Sequence, residues 1–150
     1  MTVLIKDSQD LLRLDKKLLR KITEDLLACL GLQDRDLSIL FTDNKGIAAL
    51  NRQSFGRDAP TNVISFSYPD GFPFEILGDL IISVERAQEE ARRAMLPLYE
   101  RLFSLIIHGL LHVLGFDHEK GGAEARRMRY REHKLLAYVT GLPAYKEISL

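Results

Sequence analysis

Apolar residues recur along this chain with two periods. Short runs rich in valine, isoleucine, leucine and phenylalanine fall at residues 2–5, 37–41, 63–66 and 76–82, and read as strands. Leucine and isoleucine recur three and four residues apart over 16–30, and helices are also predicted over 83–95, 98–114 and 123–139. A shorter helix is expected from Thr42 or Asp43 to about Gln53. The punctuation agrees with these boundaries. Asp15 and Ser83 stand where an N-cap belongs, Gly31 and Gly115 stand where a helix should stop, and Gly141 with Pro143 ends the last one. Residues 54–62 and 67–75 hold the turn formers Gly56, Asp58, Pro60, Pro69, Asp70, Gly71 and Pro73, and read as loops. The 98–114 segment is the most hydrophobic helix and is expected to be central. Strands and helices are interspersed without strict alternation. The expected fold is therefore α+β, a small mixed four-stranded sheet packed by about five helices. With no internal repeat and no interior linker, residues 1–150 read as one domain.

Composition narrows the class. A chain of 150 residues, 46% hydrophobic and 28% charged, is ordinary globular material, which excludes disordered, collagen-like and disulfide-scaffold proteins. Folding a chain of this size buries roughly 70% of its unfolded surface, enough for a core without covalent staples. Basic and acidic residues number 21 each. No whole-molecule attraction to nucleic acid or anionic membrane follows, so any RNA contact must come from a local patch. The single cysteine, Cys29, allows no intrachain disulfide and reads as a small buried apolar residue. The start, MTVLIKDSQD, lacks a basic segment followed by an apolar run, and the longest apolar run, 102–114, is too short to span a bilayer. A soluble cytoplasmic protein is the expectation.

The chemistry concentrates in HGLLHVLGFDH, residues 108–118, which holds three of the four histidines. His108 and His112 are four apart on a predicted helix, so both imidazoles lie on one face, roughly 6 Å apart at Cβ. Two ring nitrogens can then reach one metal ion at roughly 2.0–2.1 Å. Gly115 lets the chain turn, and His118 returns as a third nitrogen donor, with Asp117 beside it as an acceptor that can fix a ring tautomer. Three neutral nitrogens suit zinc, one ion per chain, with nickel and copper as alternatives in vitro. Three ligands with an open position are the catalytic pattern, in which bound water is acidified towards a pKa of ~7. The spacing is that of metzincin proteases, but Gly109 stands where their general-base glutamate belongs, which argues against a protease.

These residues resemble a known family. HGLLHVLGFDH is similar to the H-G-x-L-H-x-x-G-[YF]-D-H signature of the YbeY family, bacterial ribosomal RNA maturation factors described as metal-dependent endoribonucleases. Leu50, Asn51 and the run from Gly56 to Phe66 resemble the family's L-N-x-x-[YF]-R-G-K-D-x-P-T-[DN]-V-L-S-F segment, and residues 77–83 resemble its L-G-D-I-x-I-[CS] strand. The order and spacing match over essentially the whole chain. The resemblance implies a zincin-like helix with zinc on His108, His112 and His118. It implies single-strand-type cleavage in 3′-end maturation of small-subunit ribosomal RNA, and a part in ribosome quality control. It also implies association with the small ribosomal subunit and its assembly factors, with no DNA substrate and no membrane. One position departs from the pattern: Phe55 stands where the family carries an arginine before the glycine. The candidates for that arginine's work, clamping a phosphate and stabilising transition-state charge, are Arg57 or Arg52.

Other features read two ways. Asp79, in an apolar strand beside Gly78, is either a hydrogen-bonded structural carboxylate at a strand end or bulge, or a carboxylate that supports a metal ligand or accepts a proton. Thr61, Asn62 and Ser65 are candidates to line a cleft, and Thr61 and Asn62 read equally as residues that satisfy backbone groups where loop becomes strand. From Glu119 to Lys134, six basic residues stand against three acidic ones, a net of +3. That segment either guides RNA phosphates or is a solvated helix face with internal ion pairs. Tyr130 either stacks on a base or packs inward. His133 reads as an ordinary surface histidine. Two rival functions stay open: another zinc hydrolase whose base comes from beyond Gly109, or a non-catalytic assembly factor stabilised by its metal.

Overall fold

The computed structural model describes residues 3–56, 61–68, 73, 75–117 and 121–148. Its elements run β1 (Val3–Asp7), α1 (Lys16–Cys29), β2 (Asp36–Thr42), α2 (Asn44–Phe55), β3 (Val63–Ser67) and β4 (Ile76–Ser83). Four helices follow: α3 (Val84–Ala94), α4 (Leu98–Val113), α5 (Gly122–Thr140) and α6 (Pro143–Ile148). The strands form one mixed sheet in the order β1-β2-β4-β3, in which β3 alone is antiparallel to its neighbour. Alternation along the strands divides the apolar residues between two faces. Leu37, Ile39, Phe41, Leu80 and Ile82 join the main core with α1, α3, α4 and α5. On the other face Ile64 and Ile81 meet Ile47 of α2 in a smaller cluster.

The caps explain why the helices start where they do. Asp15 accepts from the Leu18 amide, Asp43 from Gly46 and Ser83 from Arg86, each satisfying an amide of the first turn. Glu85 also accepts from the Asn44 amide at 3.0 Å, so one α3 carboxylate helps to hold the start of α2. The β2–β4 register slips between Asp36 and Leu37, which face Ile76 and Gly78, and Leu77 is the extra residue of a bulge. A Cβ at Gly78 would sit 2.6 Å from the Phe66 carbonyl oxygen and 2.9 Å from Val113 Cγ1. This glycine therefore lets β3 and the end of α4 approach β4.

Two expectations change. The chain does not stop being helical at Pro143: α6 begins there, since proline suits a first helical position, and it buries Tyr145 and Ile148. The Tyr145 ring meets Phe103 edge-on at 6.0 Å. Cys29 is exposed, not buried. The buried stripe of α1 is Leu19, Ile22, Thr23, Leu26 and Leu27, and Cys29 lies off it in the last turn. Among the described residues no single helix is long and apolar enough to cross a membrane.

Candidate metal centre

α4 is the helix around which the rest packs. Leu102, Phe103, Leu105, Ile106, Ile107, Gly109, Leu110 and Leu111 are all buried. What remains is a polar stripe of Arg101, Ser104, His108 and His112, spaced three, four and four residues apart. Arg101 is fixed at its start, donating to Ser104 Oγ at 3.0 Å and, through Nε and a terminal nitrogen, to Glu90 of α3 at 3.0 and 2.9 Å. The same Glu90 carboxylate accepts from Asn62, whose carbonyl takes the Ser83 amide. Asn62 is thus a structural clamp.

The two histidines converge. Their Nε2 atoms are 3.1 Å apart, with ring centroids at 4.6 Å and planes at 75°. Two nitrogens bound tetrahedrally at 2.0–2.1 Å are themselves about 3.3 Å apart, so this pair fits a single zinc-sized ion. His108 Nδ1 lies 2.8 Å from Glu132 Oε2 of α5, with both side chains about 30% exposed. A carboxylate can only accept, so Nδ1–H is the donor in this contact, and the tautomer that makes it leaves the Nε2 lone pair for a metal. Carboxylate–imidazole pairs of this kind orient metal-binding histidines and raise their basicity. His118 and Arg57 lie outside the described residues, and among the described residues no group of three potential ligands is gathered. Asp117 is half-buried.

Gly109 faces the sheet. A Cβ there would lie 2.8 Å from Leu80 Cδ2 and 3.2 Å from Val63 Cγ2. The position after the first histidine is thus where α4 touches β3 and β4, and a glutamate there would have to push the Leu80 and Val63 side chains aside. Gly109→Ala is expected to cost about 1–3 kcal/mol through overpacking, read as a lower urea midpoint at unchanged slope. An unchanged midpoint would mean that the contact relaxes freely.

Comparison with known proteins identifies the family. The profile of the family described as Endoribonuclease YbeY matches residues 4–140. The chain belongs to that family. The Endoribonuclease YbeY of Geobacter sulfurreducens is 42% identical over 142 residues, covering 91% of this chain and 95% of the relative. That of Aquifex aeolicus is 40% identical over 136 residues, covering 90% and 89%. A solution structure of TM1509 from Thermotoga maritima superposes with a TM-score of 0.68 at 25% identity, over 93% of this chain and 90% of that one.

Against the family pattern, Phe55 has found a structural home. It is 52% exposed at the end of α2 and stacks on Phe66 of β3, centroids 5.8 Å apart and planes 8° apart. Arg52 is exposed in the last turn of α2. Asp79 takes its structural reading: it accepts from the Tyr68 hydroxyl at 2.6 Å, just beyond the bulge. That hydrogen bond, with desolvation and the carboxylate's charge adding to it, holds the Tyr68 phenol above its usual range. Tyr130 points outward at 62% exposure, and His133 is exposed.

Sequence reasoning passed over Glu132, counting it among the counter-ions of the basic segment. A signal was present. Met128, Leu135 and Val139 are the buried face of α5, and Glu132 falls in the same helical register, four after Met128 and three before Leu135. A carboxylate on a core-facing stripe needs a polar partner, and here it has the first histidine.

Proposed function

We propose that this chain is a metal-dependent endoribonuclease that matures the 3′ end of small-subunit ribosomal RNA and takes part in ribosome quality control. His108, His112 and His118 would hold one zinc ion per chain. The observation that carries the reading is the histidine pair, with convergent Nε2 atoms and Glu132 on the outer nitrogen of one ring. Family membership, whose named relatives are endoribonucleases, supports the substrate class. When bound, zinc supplies Lewis acidity towards a phosphoryl oxygen and acidifies water.

The chain's own residues do the rest. Glu132 holds the His108 proton on Nδ1 and so keeps Nε2 aimed inward. The buried side of α4 fixes both rings by fixing their helix. Arg57 is the residue we assign to the phosphate, where a planar, always-charged fork neutralises charge developing on the phosphoryl oxygens. The chain would work as one domain in the cytoplasm, on the small ribosomal subunit with its assembly factors.

The test is incubation of the purified protein with precursor small-subunit ribosomal RNA, followed by mapping of the new ends. Internal cuts near the 3′ end of the mature sequence are expected. A 2′,3′-cyclic phosphate product would assign the nucleophile to the RNA's own 2′-hydroxyl, and a 3′-hydroxyl end would assign it to water. Intact precursor in the presence of zinc-loaded protein would overturn the reading. Arg57→Ala should lower the cleavage rate by about 10²–10³ with zinc content unchanged. An unchanged rate would move the role to Arg52.

A further inference from the structure

A concentration of charge lies away from the histidines. Residues 13–21 hold Arg13, Lys16, Lys17, Arg20 and Lys21 against Asp15 alone, in a protein whose net charge is zero. Lys16 and Lys17 stand in the first turn of α1, which carries no acidic residue. Cations there oppose the helix dipole, so the sequence departs from what the helix alone would favour. The nearby carboxylates are engaged elsewhere. One oxygen of Asp15 accepts from the Leu18 amide, and Asp25 pairs with Lys21 at 3.2 Å. Among the described residues, Arg13, Lys16 and Lys17 are in no ion pair. These cations border a furrow between α1 and α6, which packs against it. Two open hollows of about 730 and 400 Å³ make up the furrow, and they are continuous because Lys17 and Glu147 stand in the walls of both. Arg13 and Lys16 flank the first, and Lys21 and Asp25 flank the second. Apolar side chains line it between them: Leu14 and Ile148 in the first hollow, and Leu18, Leu142, Pro143 and Ala144 in the second.

We propose that the α1–α6 furrow docks an acidic, amphipathic helix of a partner protein. A seam between two helices accepts a third, whose apolar side chains at i, i+3, i+4 and i+7 serve as anchors. From Lys16 to Asp25 the α1 wall runs about 14 Å, enough for two to three turns of such a helix. The partner's apolar stripe lies on Leu18, Leu142 and Ala144, and its flanking carboxylates meet Arg13, Lys16 and Lys17. Those carboxylates also supply the negative charge that the start of α1 lacks. Glu147, in no ion pair among the described residues, asks for one cation on the partner and so sets its direction. RNA fits this surface less well. Phosphates gain nothing from an apolar lining, and Asp25 and Glu147 repel them. Among the described wall residues the one aromatic is Tyr99, which is half-buried and accepts from the Asp15 amide at 3.1 Å, so no exposed ring offers a base a platform. No wall residue belongs to the metal centre, and the proposal does not depend on the nuclease chemistry.

The test measures binding to the full-length protein by fluorescence anisotropy. The probe is a labelled synthetic peptide of about 18 residues, helical, with leucines at the anchor spacing and glutamates on one flank. A scrambled isomer and a single-stranded oligonucleotide are compared with it. The amphipathic peptide is expected to bind at least about tenfold more tightly than either. Lys16→Glu with Lys17→Glu should weaken it at least about tenfold, while the melting temperature holds or rises, because acidic residues suit the first turn of a helix. Loss of binding in that variant is therefore not loss of the fold. Arg126→Glu with Arg127→Glu, the same charge change on α5, should do much less. Ala144→Glu places bulk and charge in the furrow and should also weaken the peptide. Amide shifts during titration should fall in residues 14–25 and 142–148. No binding by wild type, equal binding of the scrambled isomer, equal loss from the two double variants, or shifts centred on α5 would each overturn the proposal. An oligonucleotide that binds as tightly and displaces the peptide would assign the furrow to nucleic acid instead.

Discussion

His112→Ala is expected to leave a folded protein that retains no stoichiometric zinc and cuts precursor ribosomal RNA at least ~10³-fold more slowly, about 4 kcal/mol on the barrier. The reasoning starts from position. His112 sits on the polar stripe of α4, outside the buried set that anchors the helix. Its removal takes away no core contact of that set, so stability should change by about 1 kcal/mol or less. Its Nε2, however, is half of the convergent pair. With one donor gone, two of the three proposed nitrogens remain, and zinc sites of that size do not hold the ion firmly. Zinc content by mass spectrometry and an end-labelled cleavage assay check both halves. Full zinc occupancy in the variant would remove His112 from the ligand set.

Glu132→Gln is expected to weaken zinc binding about 10–100-fold, with the fold intact. The glutamine keeps the shape of the side chain and a carbonyl oxygen to accept from His108 Nδ1, but loses the charge that raises the imidazole's basicity. Glu132→Ala removes the acceptor altogether and should weaken binding further. Competition against a zinc chelator of known affinity reads the effect without reference to turnover. Glu124→Gln, on the same helix but in no ion pair among the described residues, serves as the control for lost charge. Equal affinity in Glu132→Gln and wild type would show that the 2.8 Å contact does not support the site.

Much of this arrangement was legible in the chain. Strands of alternating or continuous apolar residues, and caps at Asp15 and Ser83, mark the elements to within a residue or two. The histidine spacing marks the pair, because helical geometry brings positions four apart onto one face whatever surrounds them. What stayed hidden depends on tertiary contact. Gly78 and Asp79 hinted at an irregular strand, but that Leu77 is the extra residue is a property of how β2 and β4 pair. α6 was hidden because a proline just after a helix reads equally as a stop or as the first residue of another helix, and the burial of Tyr145 against Phe103 favours the second role. Cys29 depended on which way the last turn of α1 faces. Glu132 was visible as a misplaced charge on an apolar stripe, but its partner belongs to another helix.

The most direct measurement strips the metal and returns it. Wild-type protein is treated with a chelator, dialysed, and assayed on precursor small-subunit ribosomal RNA before and after one equivalent of zinc. Cleavage is predicted to disappear with the metal and to return at one zinc per chain, while His112→Ala stays inactive at every zinc concentration. Undiminished cutting by the stripped protein, or equal rescue of His112→Ala, would contradict the account.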